Sequence, residues 1–430
     1  MSSLAKQALR YHSGARKGKI EVLPTKPCAT QQDLALAYTP GVAEVCRAIA
    51  ENPQAAYEYT AKDNLVAVVT NGTAVLGLGN IGPLAGKPVM EGKGILFKLF
   101  ADVDAFDICL DAKNAEQVIE AVRMLSPTFG GINLEDIKAP ECFRIEDELI
   151  NSLNIPVLHD DQHGTAIVIG AAFLNAVLLA GKTPQSVKVV ISGAGAAGIA
   201  TARFLLSLGV PVGHIFMFDS SGLIHLERGK LEGAKALFAQ AKDHGDLAAV
   251  LRGADCFIGC SVKNLLSREM VQAMAANPII FACANPDPEI AYPEAKAARP
   301  DAIVATGRSD YPNQVNNVLG FPFLFRAAFD CRASRFTEGM KAAAAKALAE
   351  LARTDPAPEA LAAHGRKAWE FGRECLLPLP LDRRLIEHVP PAIAAAAMQE
   401  GVAGVKIDLA TYPQILRQRL ENLHQRLNLL

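Results

Sequence analysis

No run of about 18 apolar residues occurs in the 430-residue chain, so no membrane-spanning helix is predicted. The nearest approach, Ala166 to Ala180, is short, carries Asn175, and reads as a buried helix. Charge of one sign is also lacking. The 43 Lys and Arg residues nearly balance the 45 Asp and Glu residues, leaving a net charge of −2. That excludes an overall basic field for nucleic acid or an anionic membrane surface. The N-terminal stretch MSSLAKQALRYHSGARKGK has no apolar core of a secretory signal. The nine cysteines are scattered. Cys256 and Cys260 are four apart, but no second pair or nearby His completes a zinc pattern. Reduced, mostly buried thiols in a cytoplasmic protein are the expectation. No fixed-period repeat is present.

What is present is an ordinary globular mixture, with 50% hydrophobic and 20% charged residues. The length predicts two or three domains. Up to about residue 155 the pattern mixes short strands and helices. β-rich runs are predicted at Leu65–Thr70, Ile95–Phe100 and Phe106–Leu110, and helices at Ala115–Leu125 and Glu141–Leu153, with Pro127 and Pro140 as punctuation. From Ile155 short apolar runs alternate with helix-period segments. The runs are Val187–Ser192, His214–Asp219, Asp255–Gly259, Ile279–Cys283 and Ile303–Thr306. Such alternation reads as a parallel sheet with helices on both faces. From about Pro322 the chain is helical and Ala-rich, interrupted by Pro378, Pro380 and the pair Pro390–Pro391. The predicted fold is α/β. A smaller N-terminal α/β domain (1–155) precedes a Rossmann-type, doubly wound parallel sheet domain (156–390) and a C-terminal helical appendage (391–430).

Two G-x-G-x-x-G matches need separating, because a lone match is weak. The second, Gly193-Ala-Gly195-Ala196-Ala197-Gly198, follows the β-run Val187–Ser192 and opens a helical stretch. A further β-run then ends in Asp219, near the distance expected of an acid that binds ribose hydroxyls. Glycines there let the backbone approach a pyrophosphate, and the helix N-terminus offers free N–H groups and positive potential. The first match, Gly77-Leu-Gly79-Asn-Ile-Gly82, is followed by Pro83 and by Leu84-Ala-Gly-Lys-Pro88. It reads as a compact loop with no helix behind it.

Two acidic pairs end short apolar runs: Glu135–Asp136 and Asp160–Asp161. Carboxylates from separate elements suit a hard cation such as Mg²⁺ or Mn²⁺ in octahedral oxygen geometry. Spacing alone equally allows helix caps and solvated helix starts. His159 and His163 are four apart, but one ends a strand and the other starts a helix, so structural roles are expected for both.

Taken together, several motifs resemble the malic enzyme family, in the family's order. They are Tyr38-Thr-Pro-Gly-Val-Ala43, Glu91-Gly-Lys93-Gly, Asn133-Leu-Glu-Asp-Ile137, His159-Asp-Asp-Gln-His-Gly-Thr-Ala166, Phe281-Ala-Cys-Ala-Asn-Pro286 and Asn316-Asn-Val-Leu-Gly-Phe321. The resemblance is to the shorter bacterial members. It implies oxidative decarboxylation of L-malate to pyruvate, with NAD or NADP and Mg²⁺ or Mn²⁺, in a homodimer or homotetramer. It implies Glu135, Asp136 and Asp161 as metal ligands, Lys93 as general base, Tyr38 as general acid and Asp160 as the carboxylate that orients the lysine. Asn285 and Asn317 are implied at the substrate, with Asn285 and Thr165 also at the cofactor.

Larger members carry an arginine that pairs with a malate carboxylate, where this chain has Ala74. Backbone N–H groups around Gly72 and Thr73 are the expected substitute. Asp219 favours NAD, while Arg228 beyond it is a candidate for the 2′-phosphate of NADP. Two other readings remain: a malolactic enzyme that retains its cofactor and releases lactate, and a non-catalytic dinucleotide sensor. The second would need neither Lys93 nor the carboxylates.

Overall fold

The computed structural model describes residues 3–13, 16–75, 77–229, 231 and 233–427. Four helices come first: α1 (Ser3–Ser13), α2 (Gln31–Ala37), α3 (Val42–Glu51) and α4 (Ala56–Tyr59). A first unit follows as β1 (Leu65–Thr70), α5 (Pro83–Ala101), β2 (Asp104–Cys109), α6 (Ala115–Leu125), β3 (Gly131–Leu134), α7 (Glu141–Ser152) and β4 (Val157–His159). Its four strands pair in the order β2-β1-β3-β4, all parallel. Central strand β1 is buried throughout, which its unbroken apolar run dictates for a strand covered on both faces. Helix α6 starts where the Asn114 side chain accepts from Gln117 N–H, and it buries Val118, Ile119 and Val122 on one stripe.

Helix α8 (Asp160–Leu179) leads into the second unit. There β5 (Val189–Ser192), α9 (Ala196–Ser207), β6 (Ile215–Asp219), β7 (Gly222–Leu223), α10 (Leu247–Leu251), β8 (Cys256–Gly259), α11 (Arg268–Gln272), β9 (Ile279–Ala282), α12 (Tyr292–Ala298) and β10 (Ile303–Thr306) build a six-stranded sheet. Its order is β10-β9-β8-β5-β6-β7, parallel except for the short β7. This is the Rossmann-type order, with the reversal between β5 and β8. Helices α13 (Phe321–Asp330), α14 (Glu338–Leu351), α15 (Pro358–Ala363), α16 (Arg384–Gln399) and α17 (Tyr412–Arg426) complete the chain.

The predicted α/β architecture is therefore observed, with two local corrections. Ile95–Phe100 is not a strand but part of α5, and a helix does follow the first glycine fingerprint. Pro83 opens that helix at a position where its missing N–H costs nothing. Gly86, Met90, Gly94, Phe97 and Ala101 then fall on one buried face at helical spacing. A short apolar run cannot by itself distinguish strand from buried helix. Pro390 and Pro391 do not interrupt the tail either, since both lie inside α16. Packing of α16 on α13, α14 and α17 overrides the local preference.

One hydrophobic core joins the two units. It runs from Val66 and Val68 of β1 through Phe97 of α5, the length of α8, and on to β5, α9, α13 and α16. Phe97 meets Phe321 and Phe325 edge to face, with centroids 4.7 and 5.2 Å apart. Among the described residues α8 is the one helix long and apolar enough to cross a membrane, and 72% of that stretch is buried here. Buried Asn175 fastens α8. Its Nδ2 donates to the carbonyls of Ala349 (2.9 Å) and Leu376 (2.8 Å), and its Oδ1 accepts from Arg353. All nine cysteines are free, but Cys28 and Cys46 are exposed rather than buried.

Asn175→Leu keeps the volume and leaves two buried carbonyls without donors. The expected loss is about 2–4 kcal/mol of unfolding free energy, read as a lower urea midpoint with an unchanged m-value.

Candidate active site

The ends of β1 and β4 in the first unit meet the segments after β9 and before α13. In the first unit the chain leaves β3 through Glu135 and Asp136, and leaves β4 through Asp160 and Asp161. Glu135 N–H continues the ladder to Val69 O (2.9 Å). Asp136 adopts a left-handed backbone (φ 53°), rare for a side chain other than glycine or asparagine. The turn is held by Asp136 N–H donating to Asp161 Oδ2 (2.8 Å) and by Ala74 N–H donating to Asp136 O (3.0 Å). As a result, carboxylate oxygens of Glu135, Asp136 and Asp161 lie within 4.8 Å of one another. Glu135 and Asp136 are buried and Asp161 is partly so.

Lys93 reaches this cluster from the middle of α5. Its flanking glycines are not turn residues. They lie in the helix where Lys19, Ile20 and Ala105 pack closely. Lys93 Nζ sits 2.6 Å from Asp160 Oδ2 and 2.9 Å from Glu135 Oε1, over the Phe321 ring at 4.2 Å from its centroid. Burial alone would lower the lysine's pKa, but Asp160 and Glu135 outweigh burial and raise it. Burial pushes the Glu135 carboxyl up to about 7, opposed by Lys93 and reinforced by Asp161. Burial raises Asp160 and Asp161 as well. The crowded carboxylates of Glu135, Asp136 and Asp161 are a donor set that a divalent cation fits.

Asp160 links the two units, because Asn317 Nδ2 also donates to its Oδ2. Gly164, one turn along α8, makes room for it. A Cβ there would stand 1.9 Å from Asp160 Oδ1. Asn285 follows β9, at the end of the second sheet. The carbonyl of Asn285 lies where a Cβ on Gly77 would be, 2.7 Å away, so the first glycine loop packs against the Asn285 turn. Thr165 is partly buried in the second turn of α8.

The second fingerprint occupies the reversal point of the six-stranded sheet. Gly193 (φ 108°) abuts the Cys260 carbonyl, and Gly198 abuts the Gly193 carbonyl, so neither tolerates a Cβ. Gly195 is exposed with open space beside it. Ala196 and Ala197 form the first turn of α9. The Asp219 carboxylate is already engaged. It accepts from Ser221 N–H (2.9 Å), from Arg228 at 3.0 and 3.2 Å and from Lys235 at 3.0 Å.

Two expectations are not met in the chain itself. Tyr38 is 70% exposed, and among the described residues no hydrogen bond or ring contact connects it with Lys93, Asp160 or Glu135. The backbone around residue 72 is also partly spent, because Gly72 N–H donates to Thr70 Oγ1 (2.9 Å) and Ala74 N–H to Asp136. The turn's fixed shape consumes part of the donor set expected for a substrate carboxylate.

Other residues escaped the sequence reading. Asn133 Nδ2 donates to Glu135 Oε2 (2.9 Å). Buried Glu146 accepts from His159 N–H (2.7 Å), Gln162 (3.0 Å) and His163 Nε2 (3.0 Å), and His163 Nδ1 meets Lys341 Nζ at 3.0 Å. Burial opposes ionisation of Glu146, yet His163, His159 and Lys341 bring its pKa down to about 2. Glu289, fully buried, accepts from Ser261 N–H (3.0 Å) and Ala284 N–H (3.1 Å) and so fixes the ends of β8 and β9 together. Asn133 and Phe321 stood inside recognised motifs. Nothing in the sequence marks Glu146, Glu289 or Lys341.

A Rossmann-type sheet, a smaller parallel sheet, and an acidic cluster with a lysine where their strands end define a two-domain α/β protein of the dinucleotide-binding class. Comparison sharpens this. The malic enzyme N-terminal domain family matches residues 17–150, and the malic enzyme NAD binding domain family matches residues 162–362. The chain belongs to the malic enzyme family. It is 54% identical over 397 residues to an NADP-dependent malic enzyme of Halomonas elongata, covering 92% of this chain and 94% of that protein. It is 53% identical over 422 residues to an NADP-dependent malic enzyme of Rhizobium meliloti. That match covers 97% of this chain but only 55% of the relative, so the chain spans about half the length of some curated relatives. The crystal structure of malic enzyme from Pyrococcus horikoshii superposes with a TM-score of 0.89 at 41% identity, covering 98% and 97% of the two chains.

Gly164→Ala should displace the Asp160 carboxylate and lower the melting temperature, because overpacking of this kind costs about 1–3 kcal/mol. An unchanged melt and an unchanged Lys93–Asp160 distance in a crystal structure of the variant would contradict this.

Proposed function

We propose that the protein oxidises L-malate to pyruvate and carbon dioxide with reduction of NADP⁺, and that Glu135, Asp136 and Asp161 hold the divalent metal. The convergence of those three carboxylates beside Lys93 carries the reading, since hydride transfer alone needs no such cluster. When bound, a nicotinamide would supply the acceptor for the C2 hydride of malate, and Mg²⁺ or Mn²⁺ held by Glu135, Asp136 and Asp161 would supply Lewis-acid charge for the substrate oxygens.

The remaining work falls to the chain's own groups. Lys93 takes the proton of the C2 hydroxyl. As described, two carboxylates hold Lys93 as a firm ammonium. A cation held by Glu135 would withdraw that acid from Lys93 and leave Asp160 as the one carboxylate opposing burial of the amine. Asp160 and Asn317 keep the amine aimed. Phe321 covers it and excludes water. After carbon dioxide departs, Tyr38 donates a proton to C3, and Lys93 returns one to Tyr38. Asn285 and Asn317, rather than the backbone near Gly72, are the side chains offered to the substrate's carboxylates.

For the cofactor, the Asp219 cluster favours NADP over the NAD that a bare acid would select. Burial works against the Asp219 carboxylate, but Ser221, Lys235 and Arg228 hold its pKa below the usual value. One negative charge beside two positive ones leaves a net attraction for a 2′-phosphate.

The deciding measurement is reduced-nucleotide absorbance with L-malate, Mn²⁺ and NADP⁺ or NAD⁺, with EDTA as control and pyruvate and lactate assayed as products. Asp161→Ala and Lys93→Ala should each lose more than about 100-fold in turnover, while dinucleotide binding persists. Ordinary turnover in Lys93→Ala would sink the assigned base, and lactate as sole product would favour malolactic chemistry. Arg228→Ala should lower kcat/KM for NADP⁺ relative to NAD⁺ by about 10-fold or more. An unchanged ratio would remove Arg228 from the cofactor site.

A further inference from the structure

Two acids of the site, Asp160 and Asp161, stand on a corner that is held from behind. The corner is the passage from β4 into α8, and Glu146 of α7 holds it. Glu146 is buried on the helix face that also buries Cys142, Ile145 and Leu149. Its Oε1 accepts from His159 N–H (2.7 Å), and its Oε2 accepts from Gln162 Nε2 (3.0 Å) and His163 Nε2 (3.0 Å). The three ties bracket Asp160 and Asp161 along the chain. No side chain caps α8 at His159, so this remote carboxylate fixes the start of the helix, and it suits the positive end of the helix dipole. His159 carries the tie onward. Its buried ring places Nε2 3.5 Å from Asp161 Oδ2.

The relay continues past Glu146. Lys341 Nζ, on α14, lies 3.0 Å from His163 Nδ1 and donates to Glu338 Oε1 at 2.8 Å. An ammonium can only donate, so His163 Nδ1 accepts and the ring proton on Nε2 points to Glu146. Donation therefore runs one way, from the Lys341 ammonium through the His163 imidazole to the Glu146 carboxylate. Lys341 is 6% exposed and Glu146 4% exposed. Two buried opposite charges are often no more stabilising than apolar side chains of the same volume. α14 already packs along α8 and could hold it by apolar contact alone. What the relay adds is direction. It sets where the first turn of α8 points, and with it the two carboxylates that turn carries.

We infer that Glu146 and Lys341 are positioning residues of the metal site: through His163 and the His159 N–H they aim Asp161 at the cation and Asp160 at Lys93. They act through other groups and not on the reacting atoms. The inference rests on the reading of Glu135, Asp136 and Asp161 as the metal's ligands. Partners that orient such ligands change metal affinity by about 10–100-fold when removed. Lys341 is the far end of the relay, on a helix that supplies none of the ligands.

The test uses the full-length, metal-free protein and Mn²⁺ alone, with free Mn²⁺ read by electron paramagnetic resonance well below each variant's melting temperature. The wild type should bind Mn²⁺ and Asp161→Ala should not. Equal binding by Asp161→Ala would overturn the metal reading itself, and this inference with it. With that control met, Glu146→Gln and Lys341→Met should each weaken Mn²⁺ binding by about 10-fold or more, while NADP⁺ affinity stays within about twofold of the wild type. The double variant should lose no more than the worse single one, because both act along one relay. Losses that multiply in the double variant would overturn the inference. So would an unchanged Mn²⁺ affinity beside a lower melting temperature, which would leave the relay a role in stability alone. If one single variant does not fold, the other carries the same prediction.

Discussion

The buried ion pairs of Lys93 with Asp160 and Glu135 govern the arrangement of the whole molecule. Taking three charges out of water is costly, and only mutual pairing and added hydrogen bonds offset the cost. Every partner comes from a different element: the lysine from α5, the acids from the ends of β3 and β4, and the supporting amide from Asn317 before α13. The two sheets cannot separate, nor α5 slide, without stranding a charge in the interior. A cluster with one excess acid is also poised electrostatically.

The second sheet contributes through its chain ends rather than its faces. The β5–β8 reversal opens a crevice in which Gly193 and Gly198 are confined by neighbouring carbonyls and Gly195 is left clear. Buried Glu289 draws the loops after β8 and β9 together, and the turn at Asn285 rests on the first glycine loop. Thus the fingerprint that does not begin a nucleotide-binding unit still has a part in the cleft. It is the seam by which the first unit touches the turn after β9 of the second.

Much of this was legible in the residues. Strand β10 and helix α6 begin and end where the apolar periodicity says they should. The glycine fingerprint was separable from its look-alike because only one lies between a β-run and a helix followed by an acid. What failed did so for definable reasons. Ile95–Phe100 is apolar apart from Lys98, so neither a period of 2 nor one of 3.6 dominates, and a central element of the site was misread. The glycines around Lys93 carry no local sign of a helix, because their reason, the approach of other elements to α5, is a tertiary fact. Asp219 suggested one cofactor when read alone and another once Arg228 and Lys235 folded onto it. The Glu146–His163–Lys341 chain joins residues nearly 200 positions apart in sequence, which no local pattern encodes.

Helix α17 lies against α5 by a grip at one end. Arg419 pairs with Asp102 at 3.0 Å, and His424 faces the carbonyl of Leu99. Those contacts fall about two turns from Lys93 along a continuous rod of hydrogen-bonded backbone. Helix α17 thus has a lever arm on the Lys93 amine. Any strain on α17 reaches that buried ion pair through a single stiff element.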